Sequence, residues 1–265
     1  MRPLTALVLA GTRTGGDPLA RYTGVSHKAL IEVGGRTMIE RVVGALAAVP
    51  DVERIVVAIE RPELLNGLPG LQPHACAKPL TTMATESGPS ATVAAALARE
   101  GVPLLVTTAD HALLQTHWLQ EFLAACPASA DVTAALARRN LVEAAAPDTR
   151  RTWLRFADGD FSGCNLFLMA QPAAAGAVEL WREMERQRKE PLRMMRRLGW
   201  TVALRYRLGW LTLEAATARL GALAGGARLS IVEMGDGRAA IDVDKPDDLD
   251  LVRRLADMQG PLSRP

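Results

Sequence analysis

The N-terminal segment carries residue types that bind phosphate groups. A continuous apolar run ends at Gly11, a loop with Gly15 and Gly16 follows, and Lys28 precedes a second short apolar run. Exposed main-chain N–H groups in such a loop form an anion-binding nest, and a lysine adds a compact positive charge. The pattern is typical of a nucleoside triphosphate held at the end of the first strand. The glycines alone fit an ordinary strand-to-helix turn equally well.

Three aspartates follow apolar runs of strand length. Asp110 ends one run, and Asp242 and Asp244 flank a valine at the end of another. If both strand ends reach the crevice beside Gly11, Asp110 and Asp244 can hold one Mg²⁺, which takes one or two carboxylates plus substrate phosphates. Such an ion stabilises the charge of a transferred phosphoryl group. The alternative for all three is helix capping, and the alternation along the strand favours a structural role for Asp242.

Strand and helix patterns alternate through residues 1–140, which predicts an α/β fold with three layers (αβα) and a mostly parallel sheet. Strands are predicted at Leu4–Ala10, Arg54–Ile59, Val102–Thr108 and Val132–Ala137, and helices at Thr37–Ala48, Ser90–Ala98 (with Ser90 as N-cap) and Leu114–Ala125. Ligands of such sheets bind outside the carboxyl ends of the strands. The Gly11 loop and Asp110 are therefore expected to face one crevice.

The second half of the chain changes character, and its middle is strongly basic. Between Arg182 and Arg207, nine basic and three acidic residues are interleaved with aromatic ones. Most such stretches are solvated helix faces, and the alternative is a surface for an anionic membrane or a large phosphorylated acceptor. The predicted elements are a hairpin of Arg151–Phe156 and Phe161–Met169, helices at Ala173–Arg188, Leu211–Leu223 and Asp247–Asp257, and strands at Ala227–Val232 and Ala239–Val243.

Size and composition exclude several classes of protein. The 265 residues are 49% hydrophobic and 23% charged, as expected of a globular protein, here a single domain over residues 1–265. The net charge of +2 gives no case for nucleic-acid binding. Three widely spaced cysteines imply neither a disulfide framework nor a zinc site, and reduced thiols in the cytoplasm are the simplest interpretation. The N-terminal apolar run is too short to span a membrane and lacks a signal-peptide cleavage pattern.

Four segments, in order along the chain, resemble the signatures of one family. They are Leu7–Gly11 with its loop to Lys28, Gly88–Val93, Thr108–Asp110 and Ile241–Leu249. They resemble nucleotidyltransferases with the GT-A-like fold, especially the group similar to molybdenum-cofactor guanylyltransferase. The relatives of that group include methylerythritol-phosphate cytidylyltransferase and the sugar cytidylyltransferases.

The sequence departs from that family's N-terminal signature. Arg13 stands in the place of a second glycine, Gly15 in the place of an arginine, and His27 in the place of a proline before the lysine. Arg13 can still reach a triphosphate from its position. His27 is either a spacer or a phosphate contact.

The resemblance implies a Rossmann-like, GT-A-type fold with a helical, basic C-terminal elaboration. Residues 1–140 would bind a nucleoside triphosphate, most simply CTP or GTP, and residues 141–265 a small, phosphorylated acceptor. Lys28 and Arg13 would neutralise phosphate charge, and Asp110 and Asp244 would hold Mg²⁺. The predicted nucleotide contacts are Leu9, Ala10, Gly11, Thr12, Gly15, Gly16, Lys28, Gly88, Ser90 and Thr92. The predicted acceptor contacts are His111, Arg155, Ser162, Gly163 and Asn165, with His111 as the base for an alcohol acceptor.

Two alternatives remain open on the sequence. A GT-A glycosyltransferase would use a sugar nucleotide as donor, but Asp110 stands in Thr-Ala-Asp-His rather than in an Asp-x-Asp pair. A non-catalytic nucleotide-binding protein would fit the altered glycine signature. The sequence leaves the base, the acceptor and the oligomeric state undetermined.

Overall fold

The structure is a computed structural model that describes residues 3–12, 15–187 and 190–258. In this part of the chain, eight strands form one mixed sheet and two short strands form a separate hairpin. The strands are β1 (Leu4–Leu9), β2 (Glu32–Val33), β3 (Arg36–Thr37), β4 (Val52–Ala58), β5 (Leu80–Met83), β6 (Leu104–Thr108), β7 (Val132–Arg138), β8 (Leu154–Phe156), β9 (Gly159–Met169) and β10 (Leu229–Met234). The helices are α1 (Pro18–Thr23), α2 (Met38–Ala47), α3 (Pro89–Glu100), α4 (Thr116–Ala125), α5 (Arg139–Ala145), α6 (Ala174–Arg186), α7 (Pro191–Leu198), α8 (Trp200–Arg207), α9 (Leu213–Leu223) and α10 (Pro246–Met258).

The sheet is mostly parallel, as predicted. Its strand order is β10-β7-β9-β6-β1-β4-β5, with β8 paired to β9. Strands β5, β4, β1 and β6 are mutually parallel neighbours, and β10 is parallel to β7. Strand β9 alone runs antiparallel to its neighbours β6 and β7, because it returns from the predicted hairpin with β8. The carboxyl ends of β1 and β6 therefore lie side by side at one edge, where the site forms.

Helices cover both faces of the sheet, which confirms the three-layer prediction. Alternate side chains of β1 enter different cores, since successive residues of a strand point to opposite faces. Leu7 packs with Val93 of α3 and Val178 of α6. Val8 belongs to the larger core with Val42 of α2 and Leu119 of α4. Both β1 residues are fully buried, as a strand covered on both faces requires.

Two local predictions were wrong. Gly88 rather than Ser90 is the N-cap of α3, and Pro89 occupies the first helical position, where its fixed φ and missing N–H cost nothing. The strand predicted at Ala239–Val243 is a 3-10 turn, Gly237–Ala240, followed by extended chain. A side chain at Gly237 would clash with the Leu141 carbonyl oxygen, so this turn packs tightly on α5. In the described part of the chain, no helix is long and apolar enough to cross a membrane.

Candidate active site

Two carboxylates converge on one ammonium group at the carboxyl edge of the sheet. Lys28 Nζ lies 2.7 Å from Asp110 Oδ2 and 3.0 Å from Asp244 Oδ1. Lys28 begins a short 3-10 turn, and Asp110 lies two residues beyond the end of β6. The Val243 N–H donates to the Asp110 carbonyl at 3.1 Å, which joins the C-terminal segment to this strand end. The structure thus brings together the lysine and both aspartates of the predicted site.

Lys28, Asp110 and Asp244, here called the triad, place two carboxylates around one ammonium group, and two of the three side chains are largely shielded from water. The side chains of Lys28 and Asp110 are 15% and 21% exposed. Burial by itself lowers the pKa of Lys28, but the charges of Asp110 and Asp244 outweigh it and raise the pKa above its usual value. The lysine therefore stays protonated. Asp248 accepts hydrogen bonds from the N–H groups of Asp244 (3.1 Å) and Lys245 (3.0 Å), which fixes the start of α10.

The donor set around Lys28 suits a hard divalent cation. Both carboxylates already contact one cationic group, and Asp110 Oδ1 is buried without a hydrogen-bond partner among the described residues. In residues 3–12, 15–187 and 190–258, no group of three or more His, Cys, Asp or Glu side chains is placed to hold a metal ion. Two carboxylates are an incomplete ligand shell, so substrate oxygens and water would supply the rest, as Mg²⁺ commonly requires.

The glycine-containing loop lies beside the triad. Gly15 and Gly16 have φ values of +96° and +84°, which only glycine adopts readily. The Arg21 guanidinium of α1 donates to the Gly15 carbonyl at 3.3 Å, and Thr12 donates through its N–H to Glu60 at 3.3 Å and through its hydroxyl to the same carboxylate. The sequence analysis missed Arg21 and Glu60, which contact the loop at Gly15 and at Thr12. Arg13 lies outside the described residues, so its role stays a prediction.

The first residues of the loop continue from β1 over neighbouring strand ends. The Ala10 N–H donates to the Ala58 carbonyl at 2.9 Å, and the Leu9 carbonyl accepts from the Ala109 N–H at 2.9 Å. Gly11 is exposed, and a Cβ there would lie 2.9 Å from Thr85 Cγ2. A glycine therefore lets this loop approach the chain beyond β5 closely.

His27 caps the turn that carries Lys28. Its ring is 1% exposed, its Nδ1 accepts from the Ala29 N–H at 3.1 Å, and its Nε2 lies 3.2 Å from Glu60 Oε1. Burial lowers the pKa of His27, which favours the neutral ring that this cap needs. Of the two roles considered for His27, this placement favours a structural one.

This cap predicts a pH-dependent stability. The pKa of His27 is lower in the folded protein than in the unfolded chain, where it is near 6.5, so the unfolded state takes up the proton first. The stability that the neutral His27 cap contributes is fully present above pH 6.5. As the pH falls below that value, the free energy of unfolding decreases by at most about 1.4 kcal/mol per pH unit. In His27→Asn, the amide oxygen keeps the cap and cannot titrate, so we expect a flatter fall in the free energy of unfolding, measured with urea.

The control for this prediction is His117→Asn, which removes an exposed imidazole from α4. It should retain the wild-type fall in the free energy of unfolding below pH 6.5. Identical pH profiles for wild type and His27→Asn would contradict the assignment to His27.

The segment Gly88–Thr92 is held by side chains of its own and of α6. Ser90 and Thr92 are each 3% exposed. The Thr92 hydroxyl donates to the Gly88 carbonyl at 2.9 Å and accepts from the Glu86 N–H at 3.0 Å. The Glu185 carboxylate accepts from the Ser90 N–H at 3.1 Å and from the Ser90 hydroxyl. The two hydroxyls thus shape this segment, and their predicted contact with the nucleotide stays a prediction.

The predicted acceptor residues lie along β8 and β9 in different environments. Arg155 and Gly163 are exposed, whereas Ser162 is 3% exposed opposite Ala137 of β7. Asn165 occupies an irregularity of the β7–β9 ladder with a φ of +47°, a conformation that asparagine tolerates better than most residues.

The side chain of Asn165 is directed at Asp242. Its Nδ2 donates to Asp242 Oδ2 at 2.6 Å, and the Arg151 guanidinium donates to the other oxygen of the same carboxylate. The side chains of Asp242 and Arg151 are 14% and 11% exposed. Asp242 is therefore a structural anchor for the segment that ends in Asp244, and Arg151 is a supporting residue that the sequence analysis missed.

His111 follows Asp110 but is enclosed by the fold. Its ring is 1% exposed and lies stacked near Trp118, with 6.4 Å between ring centroids. Burial lowers the pKa of His111 to about 4, against an opposite influence of Asp242. Because its ring is enclosed, His111 does not reach the surface at which an acceptor would bind.

Comparisons with known proteins agree with this architecture. Residues 6–204 match the family model of the MobA-like NTP transferase domain, a range that includes Lys28 and Asp110 and ends before Asp244. A hypothetical transferase from Thermus thermophilus is 31% identical, with a TM-score of 0.79 over 94% of this chain and 100% of its own. No curated protein is significantly similar in sequence.

Two more distant structures share the fold. A 4-diphosphocytidyl-2C-methyl-D-erythritol synthase from Anaerococcus prevotii is 9% identical, with a TM-score of 0.58 over 97% of this chain and 96% of its own. A CMP:2-keto-3-deoxy-manno-octonic acid synthetase, solved in complex with CTP, is 14% identical, with a TM-score of 0.58 over 97% of this chain and 99% of its own. At these identities the likeness concerns the fold alone.

Proposed function

Because the chain belongs to the family of MobA-like NTP transferases, we propose that it transfers a nucleoside monophosphate from a nucleoside triphosphate to a small phosphorylated acceptor, with Mg²⁺ as cofactor. The observation that carries the proposal is the convergence of Lys28, Asp110 and Asp244 beside the glycine-containing loop. Pyrophosphate would be the second product, and CTP or GTP the donor.

The loop and Lys28 would bind the triphosphate. The open main chain at Gly11, Gly15 and Gly16 offers N–H groups to phosphate oxygens. The Lys28 ammonium carries three donors, so it can keep one carboxylate while it donates to a phosphate oxygen. Asp110 and Asp244 would hold Mg²⁺, which when bound supplies positive charge against the phosphates and orients them.

The transfer itself needs little acid–base chemistry. A phosphate oxygen of the acceptor forms a bond to the α-phosphorus, the bond from that phosphorus to the bridging oxygen breaks, and its electron pair leaves with pyrophosphate. A phosphate acceptor is already an anion, so no base has to remove a proton. The enclosed position of His111 fits this choice of acceptor. Arg155, exposed on β8, is the proposed contact for the acceptor's charge.

The proposal is tested in two steps. In the first, thermal unfolding is followed with ATP, CTP, GTP or UTP, each with and without Mg²⁺, since a ligand of the folded state raises its stability. We expect one triphosphate to raise the melting temperature, and to do so more with Mg²⁺. In the second, pyrophosphate release is measured with that triphosphate and a panel of sugar phosphates and other phosphomonoesters.

The possible failures of this test are distinct. Stabilisation by a sugar nucleotide and by no triphosphate would replace the proposal with a glycosyltransferase. Stabilisation by a triphosphate without pyrophosphate release across the panel would favour a nucleotide-binding protein without catalysis.

A further inference from the structure

Helices α7 and α8 and the residues that follow them expose large apolar side chains among arginines. The surface, which we call the arginine–tryptophan surface, consists of Arg193, Arg196, Arg197, Trp200, Leu204, Arg205, Arg207, Leu208 and Trp210. The exposed fractions of Trp200, Leu204, Leu208 and Trp210 are 56%, 56%, 46% and 65%. Trp200, Leu204 and Leu208 are spaced four residues apart, so they form one stripe along α8 and its C-cap residue.

Helix α8 lacks the burial that normally stabilises a short helix. None of its eight residues is buried, although they include a tryptophan, a valine, a leucine and a tyrosine. A helix of this length gains little from its own hydrogen bonds and depends on packing of an apolar face. We therefore expect the apolar stripe of α8 to be covered by a binding partner.

The charge of the surface indicates what covers it. Residues 191–213 contain five arginines and no aspartate, glutamate or lysine. Arg197 contacts Glu183 at 3.1 Å, and Arg193 contacts Glu190 at 2.7 Å, and both of these acids lie outside the segment. An anionic partner would be attracted to this segment at low salt and less so at high salt.

We propose that the arginine–tryptophan surface docks the protein on an anionic lipid bilayer. Tryptophan rings favour the boundary between headgroups and acyl chains, and the exposed leucines can enter the acyl region beneath it. Arginine stems can lie along apolar surface while their guanidinium groups reach anionic headgroups. One short element with both features lies in the plane of the interface and does not span it.

Two other occupants fit the surface less well. A second copy of the chain in a two-fold contact would bring the same arginine-rich patch against itself, which like charges oppose. A nucleic acid would use flat side chains for base stacking, whereas Leu204 and Leu208 offer aliphatic ones.

The arginine–tryptophan surface adjoins the hairpin of β8 and β9, which lies on the proposed acceptor side. The Tyr206 hydroxyl accepts from the Arg155 N–H at 3.3 Å, and the Tyr206 ring meets Phe156 edge-on with 5.7 Å between centroids. The Ala157 N–H donates to the Leu211 carbonyl at 2.8 Å. A bilayer contacted by α8 would therefore lie next to β8 and β9. This inference goes beyond the proposed transfer reaction and does not depend on it.

Vesicle sedimentation tests the proposal on the full chain. Wild type should sediment with vesicles of phosphatidylcholine mixed with phosphatidylglycerol at low salt, and much less with phosphatidylcholine alone or at high salt. Arg196→Gln combined with Arg207→Gln should lower the partition constant roughly thirty-fold, since each of the two arginines near an anionic surface raises that constant by a similar factor. Trp200→Ala combined with Trp210→Ala should also weaken binding, because it removes the groups that enter the interface.

A matched control changes similar residues elsewhere. Tyr22, 66% exposed on α1, and Arg254, exposed on α10, are replaced by alanine and glutamine, and this variant should bind vesicles as wild type does. Thermal unfolding of every variant verifies folding. The proposal is overturned if wild type ignores anionic vesicles at low salt, or if the surface variants sediment as the control does. It is equally overturned if the tryptophans prove to mediate self-association in gel filtration, or if the protein binds RNA and not vesicles.

Discussion

Asp110→Asn is expected to lower the rate of nucleotidyl transfer about a thousand-fold, the scale on which loss of one charge-stabilising group acts in such sites. The substitution keeps the size of the side chain and removes the charge that faces Lys28 at 2.7 Å. It should also abolish the Mg²⁺-dependent part of the stabilisation by a triphosphate. Pyrophosphate release and thermal unfolding measure the two effects on the same preparation.

The matched control for Asp110 is Asp247→Asn. Asp247 is an exposed aspartate in the first turn of α10, close in sequence to Asp244. This variant should keep wild-type activity and the wild-type response to Mg²⁺. An Asp110→Asn protein with activity within about tenfold of wild type would show that this aspartate does not hold the cation.

Lys28→Met is expected to act in opposite directions on catalysis and on cation binding. Turnover should fall by a hundred-fold or more, roughly the effect of removing one preorganised donor from a charge-stabilising site. In the absence of nucleotide, however, the affinity for a divalent cation should rise, because the Lys28 ammonium contacts both carboxylates that would bind it. Titration with Mn²⁺, followed by its electron paramagnetic resonance signal, measures the affinity, and pyrophosphate release measures the rate.

Lys245→Met is the control for the charge change itself. Lys245 is exposed and adjacent to Asp244. Lys245→Met therefore changes the net charge by as much as Lys28→Met does, but it leaves the Lys28 ammonium group between the two carboxylates. The prediction for Lys28 is refuted if Lys28→Met and Lys245→Met bind Mn²⁺ with equal affinity. A Lys28→Met protein that keeps wild-type turnover would remove Lys28 from the mechanism.

The sequence alone predicted those features whose structural role follows from a local residue pattern. The apolar run of β1 and its end at Gly11 follow from burial on both faces, and Asp110 follows from the end of β6. The placement of Lys28, Asp110 and Asp244 in one crevice was predicted from the order of four segments that resemble one family, but the direct contact of Lys28 with both carboxylates was not. The first two of these features depend on short stretches of chain whose residue types alone restrict the conformation.

Other parts of the site depend on side chains that reach across the fold. Glu185 contacts Ser90 over 95 residues of sequence, and Asn165 contacts Asp242 over 77. No local pattern predicts which distant side chain will meet a given carboxylate or hydroxyl. For the same reason the sequence analysis did not identify Arg151 as the partner of Asp242.

The wrong strand at Ala239–Val243 shows a limit of apolar patterns. Ile241 and Val243 are buried as a strand would be, and Ile241 has extended dihedral angles, φ −99° and ψ 111°. An apolar run reports burial, but it does not report whether a neighbouring strand is available to pair with it. Here the Val243 N–H donates to the Asp110 carbonyl, just past the end of β6, and in the described part of the chain no strand pairs with this segment.

The separation of the triad along the chain has a consequence during synthesis. Lys28 and Asp244 are 216 residues apart, and the hydrogen bond between their side chains joins the two ends of that stretch. A nascent chain emerging from the ribosome can build β1, β6 and Asp110 early, but it gains the second carboxylate only after β7 to β10 have been synthesised. A chain truncated before Asp244 carries the lysine and one aspartate without the other, so under the proposed mechanism it would lack half of the cation site.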